Sequence, residues 1–285
     1  REYTANYYNS MNRLDESVGM LLAKLEESGK ADNTIIIYLG DHGAQFSRGK
    51  CSNYEAGLKI PLIIKQPNSK IKGYRNTDLI NSIDLLPTIL EAANIIVPKN
   101  LPGKSMIPLI EDKLATNNRD NIFADGNGSS VILYYPIRSV RGKRFKLIHN
   151  LLHEKENPKY HFYNIHKNPH FDGGTEEAEI LNSSDAVIQA YKTWRNPPKY
   201  ELYDLKNDPY EFTNLSEKPE HKDTLNHLIA TLKNWQQKTK DPLANPLKFA
   251  RFNREIDSIN ALYPNHTYAK QKDFKWSYPD YFFED

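Results

Sequence analysis

Apolar residues recur at helical spacing from the first turns of the chain. Tyr7, Met11, Leu14, Val18, Leu21, Leu22 and Leu25 share one face, with Asp15, Glu16, Lys24 and Glu26 elsewhere. The pattern predicts an amphipathic helix, ended by Gly29 and covering a sheet. A polar connector, Lys30 to Asn33, gives way to the β-branched run Thr34 to Leu39, which predicts a buried strand. A second buried strand is predicted at Ile60 to Lys65, after a long polar loop, Ala44 to Lys59, holding Arg48, Lys50, Cys51, Tyr54 and Glu55. Helix followed by strand is the alternation of a sheet with parallel strands. Ile80 to Ala93 predicts a further helix, with Asp84 and Pro87 in its first half and Ile83, Leu86, Ile89 and Leu90 packing inward.

Beyond a Pro/Gly-rich link from Val97 to Pro108, the pattern changes. Asn121 to Ala124 predicts a short strand, followed by a flexible loop from Asp125 to Ser130. Ile137 to Val140 and Phe145 to His149 flank Arg141-Gly-Lys-Arg144 as a hairpin, and Tyr200 to Leu205 is a later strand, so this part reads as an antiparallel sheet. Leu225, Leu228, Ile229, Leu232 and Trp235 supply a covering helix within Lys222 to Lys238. The tail beyond Asp241 shows no clear periodicity, but Phe249, Phe252, Tyr263, Phe274, Trp276, Tyr281 and Phe282 suit a strap anchored on the body. Two domains are expected, residues 1–118 and 119–285.

Composition narrows the function classes. At 285 residues the chain can bury a real core. A net charge of +2 with 26% charged residues leaves no basic block of the kind nucleic acid requires, so no nucleic-acid partner is expected. No apolar run approaches the ~20 residues of a membrane span. No secretory leader is visible, but Arg1 to Tyr8 lack an initiator Met and read as mid-helix, so a fragment is expected, with any leader upstream. The single Cys51 excludes an internal disulfide framework and a cysteine-cluster metal site.

Candidate chemistry concentrates where the first strand ends. Thr34-Ile-Ile-Ile-Tyr-Leu-Gly-Asp-His-Gly43 delivers a carboxylate and an imidazole, between two glycines, to a strand's carboxyl end, where open α/β sheets bind ligands. Asp41 and His42 are therefore candidate metal ligands converging on one cavity. The plainer reading makes Asp41 a cap and His42 an ordinary loop histidine. The loop after them is of the length that often carries function.

An ordered series of motifs spans nearly the whole chain: Asp32-Asn-Thr34, Gly40-Asp-His-Gly43, Gly49-Lys50, Tyr54-Glu55, Ile60-Pro61, Asp84-Leu-Leu-Pro-Thr88, Glu201-Leu-Tyr-Asp-Leu-Lys-Asn-Asp-Pro-Tyr-Glu211 and Asn214-Leu215. This series resembles the C-terminal half of a type I sulfatase, of the alkaline phosphatase superfamily. Tyr135-Pro-Ile-Arg-Ser-Val140 with Arg144-Phe-Lys-Leu-Ile-His-Asn-Leu151 is most similar to the heparan N-sulfatase (N-sulphoglucosamine sulphohydrolase) branch and its bacterial relatives. The resemblance implies an α/β fold: the C-terminal part of the large α/β domain of the alkaline-phosphatase-like sulfatase fold, plus a smaller antiparallel-sheet α+β subdomain.

It also implies roles. Asp41 and His42 stand where sulfatases hold a calcium ion, a hard cation that takes Asp oxygen readily and imidazole less typically. Lys50 matches the basic residue that contacts the sulfate and steadies developing charge. The N-sulfatase branch has Arg there, so Lys lacks the bidentate fork. The hairpin with Arg138, Arg141, Lys143 and Arg144 is expected beside the pocket mouth, with Arg138, inside the strand, the candidate substrate contact and the tip charges equally suited to solvation. The family's formylglycine nucleophile arises in a Cys/Ser-x-Pro/Ala-x-Arg signature that is missing here, since Cys51 stands in Cys-Ser-Asn-Tyr, and the paired aspartates that complete the metal site are missing too. This chain alone is expected to be inactive, its partner being the upstream half of the same enzyme. Three readings stay open: a sulfatase acting on a sulfated saccharide, a metal-dependent phosphohydrolase of the same superfamily, for whose transition metals imidazole is the better ligand, and a non-catalytic glycan-binding fragment. An upstream signature would decide for hydrolysis. Sequons at Asn127, Asn182, Asn214 and Asn265 suit a lysosomal or secreted glycoprotein, while the Lys, Ile and Asn richness favours a periplasmic or secreted bacterial enzyme.

Overall fold

The computed structural model describes residues 2–284 except 68, 70, 129 and 165–172. Ser129, part of the glycine-rich loop and of the Asn127 sequon, lies outside the described residues. The chain divides into two compact units, Arg1–Gly43 with Lys59–Ile122, and Ala44–Leu58 with Phe123–Asp285. The loop between the first two strands thus belongs to the second unit, a division that differs from the simple 1–118 and 119–285 split read from the sequence.

In the first unit, α1 (Glu2–Glu27) runs 26 residues, buries none of them, and leaves Met11, Leu14, Leu21 and Leu22 exposed, so the covering role expected for its apolar face is not met within this chain. Strands β1 (Ile36–Leu39) and β2 (Leu62–Lys65) pair antiparallel, with Leu39 opposite Leu62 and Ile36 opposite Lys65. This corrects the expected parallel arrangement. The connection, which carries the short helix α2 (Glu55–Leu58), begins and ends at the same end of the ladder, where the Gly40 amide donates to the Pro61 carbonyl (3.2 Å), whereas a parallel pair needs a crossover.

The helix expected at Ile80 to Ala93 is a 3-10 turn, Ser82–Asp84, running into α3 (Leu85–Ala92). Its inward face is also corrected: Ile83, Leu86 and Ile89 are exposed, and Asp84, Pro87 and Thr88 are buried. Hydrogen bonding decides this. The Asp84 carboxylate takes both arms of the Arg119 fork (2.5 and 2.7 Å) and the amides of Asn81 and Lys104, while Thr88 Oγ1 accepts from the Met106 amide. These bonds fasten the Pro/Gly-rich link and α4 (Ile107–Glu111) to the polar side of α3.

The second unit is built on a four-stranded sheet in the order β3 (Ile122–Gly126), β4 (Ile137–Arg141), β5 (Phe145–Asn150), β6 (Tyr200–Asp204). β4–β5 and β5–β6 are antiparallel, with Val140 opposite Leu147 and Leu147 opposite Leu202, all three fully buried. On that face lies α8 (Lys222–Lys238), placing Leu228 and Leu232 on the same cluster. The other face packs Tyr54, Tyr135, Ile148 and Tyr203 against Tyr160, Tyr163 and Trp194. The last three come from α5 (Pro158–Asn164) and α7 (Asp185–Arg195), which with α6 (Glu177–Leu181) fill the stretch before β6.

The tail is not a bare strap. It contains a 17-residue helix, α9 (Pro246–Leu262), capped by the Asn245 side chain, which accepts from the amides of Leu247 and Lys248. Phe249, Phe252, Ile256 and Ile259 follow the 3-4-3 spacing of one helical face, a signal present in the sequence. Around α9 the tail aromatics Tyr263, Phe274, Trp276, Tyr278 and Phe282 form the packed clusters.

Candidate active-site residues and the loop that carries Lys50

Asp41 and His42 follow β1 directly. Asp41 Oδ1 accepts the His42 amide (2.8 Å), and its Oδ2 lies 3.2 Å from His42 Nε2. His42 Nδ1 is 2.8 Å from the Gly43 carbonyl, and a carbonyl can only accept, so Nδ1 donates there and Nε2 is the ring nitrogen turned to the Asp41 carboxylate. A 3.2 Å separation lets both atoms touch one hard cation at roughly 2.4 Å. Both residues are exposed, however, and no group of three or more His, Cys, Asp or Glu able to hold a metal occurs among the described residues. Against the ~6 to 8 oxygens calcium takes, these two residues fit as part of a shell and not as a whole one.

Lys50 sits on a loop with little freedom. Arg48, Ser52, Asn53 and Tyr54 around it are buried. The Arg48 guanidinium donates to the carbonyls of Ala190 (3.0 Å), Tyr210 (3.3 Å) and Glu211 (2.6 Å) and stacks 3.9 Å above the Tyr54 ring. Ser52 Oγ lies 2.7 Å from the carbonyls of both Arg48 and Gly49, and a Cβ at Gly49 would collide with the Ala44 carbonyl. Arg48 (φ +62°) and Cys51 (φ +68°) both adopt the left-handed conformation, costly for residues with a Cβ and held only where the surroundings demand it. Lys50 is half-buried, and among the described residues its ammonium has no hydrogen-bond or ion-pair partner.

The loop is seated on a buried ionic network. Lys146, fully buried in β5, lies 3.0 Å from both Glu55 and Glu211, and Arg141 reaches Glu55 at 3.1 Å. Burial pushes both carboxyls up; at Glu55 the pull of Lys146 and Arg141 wins and holds it below the usual range, while at Glu211 burial wins. Next to it, Tyr54 and Tyr203 donate to Glu201 Oε2 (2.8 and 2.5 Å) and Asn150 to Oε1 (2.8 Å). Burial, then the Glu201 charge, pushes both phenols far up, so they stay neutral donors. Glu201 and Glu211, prominent in the motif series, are thus inward structural groups. Sequence reading missed this joint because its partners lie 86 to 163 positions from the loop.

Arg138 does not face a ligand. It is 3% exposed; its Nε and Nη2 donate to Asp241 (2.7 and 2.8 Å), and Nη1 donates to Asn127 Oδ1 and the Ile137 carbonyl (3.0 Å each). The substrate contact expected of it is corrected accordingly, since every arm of the guanidinium is spent on its own subdomain. The hairpin tip is similar: Arg141 is paired with Glu55, and Arg144 with Asp204 (2.7 Å). A trough of about 520 Å³ bordered by Arg251, Arg254, Glu255 and Lys275, and one of about 290 Å³ bordered by Glu156, Tyr160 and Tyr191, are lined by none of Asp41, His42 and Lys50.

The sulfatase family profile matches residues 1–95. Human N-sulphoglucosamine sulphohydrolase is 30% identical over 84% of this chain and 48% of its own length, and an ulvan-active sulfatase of Formosa agariphila is 29% identical over 84% and 44%. The solved structure of a 2-O GAG sulfatase superposes with a TM-score of 0.59 at 23% identity, over 80% of this chain and 41% of that one. The fold is therefore α/β and alkaline-phosphatase-like, with a small antiparallel pair and a four-stranded antiparallel sheet. The chain belongs to the sulfatase family. It spans less than half the length of the two relatives. No helix among the described residues is long and apolar enough to cross a membrane.

Proposed function

We propose that the complete protein hydrolyses sulfate esters or N-sulfate on a sulfated saccharide, and that this chain supplies part of its active site. The observation that carries this reading is the Asp41–His42 pair at the end of β1, with Nδ1 committed to the Gly43 carbonyl and Nε2 3.2 Å from an Asp41 carboxylate oxygen. Family membership and the saccharide sulfatases among the relatives support it. Asp41, with His42 as a second donor, would hold a calcium ion whose charge polarises the sulfate. The remaining ligands and the nucleophile, a formylglycine on the family resemblance, would come from an upstream half. The exposed apolar faces of α1 and α3 support such a missing neighbour, and this chain alone would then be inactive. Lys50 would place its ammonium on the sulfate and leaving oxygen, steadying charge that grows in the transition state. A periplasmic or secreted location, with a lysosomal one as the alternative, goes with this reading.

In the complete enzyme Lys50→Ala should lower kcat for sulfate release by ~10²- to 10³-fold, the scale of removing one such charge-stabilising donor. Near-normal turnover would remove Lys50 from the mechanism. The phosphohydrolase reading is favoured by one observation, the imidazole nitrogen in the donor pair, which suits transition metals. Faster phosphate-ester than sulfate-ester hydrolysis, restored by manganese or zinc rather than calcium, would select it.

A further inference from the structure

The loop around Lys50 is clamped on both sides of that residue by groups that cannot themselves reach a substrate. On the N-terminal side Arg48 is buried, left-handed, and tied to three carbonyls of the second unit. On the C-terminal side Cys51 is left-handed, and Ser52 Oγ closes back on the carbonyls of Arg48 and Gly49. At Lys50 itself the amide donates to the Ala44 carbonyl (3.0 Å), and the Tyr163 hydroxyl, from α5, donates to the Lys50 carbonyl (2.9 Å). Every backbone polar group of Lys50 is thereby fixed while its side chain is left unpaired among the described residues. A surface loop needs neither two left-handed non-glycine residues nor a hydroxyl brought from a position 113 residues away. The combination makes sense if the direction of the ammonium matters.

We infer that Tyr163 and Arg48 are positioning residues for Lys50: the phenol, through the Lys50 carbonyl, and the guanidinium, through the preceding turn, set the line along which the ammonium leaves the loop. The inference rests on the proposed role of Lys50. Tyr163 suits the task because burial pushes its phenol well up, so it remains a neutral donor across the working pH range. Its ring is fully buried beside Trp194 (centroids 5.8 Å apart), and that packing fixes the hydroxyl. The same ring makes a clean test possible, since phenylalanine keeps the packing and removes the hydroxyl.

The test is a double-mutant cycle in the complete enzyme, measuring sulfate release from a sulfated monosaccharide and from an aryl sulfate. Tyr163→Phe should lower kcat on the order of tenfold, since a small misplacement of a catalytic group is costly, with KM and the unfolding midpoint near those of the parent. In a Lys50→Ala background, Tyr163→Phe should have no further effect, because there is no ammonium left to aim. Arg48→Lys, which keeps the charge and loses the fork, should behave in the same way with a larger loss; should it fail to fold, the tyrosine cycle still decides. A large effect of Lys50→Ala with a neutral or fully additive Tyr163→Phe overturns the positioning role and leaves the sulfatase reading standing. No effect of Lys50→Ala overturns the role of Lys50, and the positioning role falls with it.

Discussion

Arg138 and Lys50 show how differently two basic residues behave once burial is known. Arg138 and Asp241 form a pair 3% and 5% exposed, and breaking such a pair from one side strands a charge in the interior. Asp241→Asn should cost about 3–5 kcal/mol in thermal unfolding, while KM for a glycan substrate in the folded enzyme stays unchanged; a selective rise in KM would return Arg138 to the substrate side. His149 supplies a pH dependence. Burial, then the charge of Lys199, lowers its pKa from 6.5 to about 4, so the folded state resists a proton that the unfolded chain accepts. Its contribution to stability is complete above about 6.5 and is lost as pH falls towards 4. His149→Gln should therefore flatten the fall of the unfolding midpoint between these pH values. At this scale the sequence brought Asp41 and His42 forward as candidates, because Asp-His between glycines is a local pattern. It could not show that Arg138 is spent on a partner 103 positions away.

Elements whose partners are local were legible as segments. α8 shows its apolar stripe, and β4 and β5 announce themselves around a charged turn. α3 misled because its apolar side is the one left open in this chain, while hydrogen bonds accepted by Asp84 from Arg119 and by Thr88 from the Met106 amide fix its polar side. α9 was overlooked among aromatics, although Asn245-Pro246 ahead of a 3-4-3 stripe marks its start. The cap is testable: Asn245→Ala should lower stability by about 1 kcal/mol through two lost acceptor contacts, and Asn245→Asp should restore most of it.

Taken whole, the chain leaves apolar surface on its first unit, with Leu21 71%, Leu86 51%, Ile89 51% and Ile63 64% exposed. On the proposed reading, the upstream half covers these residues. Residues 1–285 expressed alone should bind a hydrophobic dye and scatter light on concentration, and Leu21→Glu with Ile89→Glu should reduce both. A parent chain that stays monomeric and dye-free would remove the case for a missing neighbour. The alternation of helix and strand was readable at this scale. The exchange of Ala44–Leu58 into the second unit was not, because that allegiance depends on contacts with β4, β5 and β6 far along the chain.

That exchange constrains how members of this family can be recombined. A chimaera joined at residue 123 would set the Arg48, Tyr54 and Glu55 of one parent against the Lys146, Glu201 and Glu211 of the other, although these residues form one interlocked joint. A viable hybrid must therefore inherit the short segment 44–58 and the long segment 123–285 from the same parent, as a two-piece cassette with crossovers on either side of the loop.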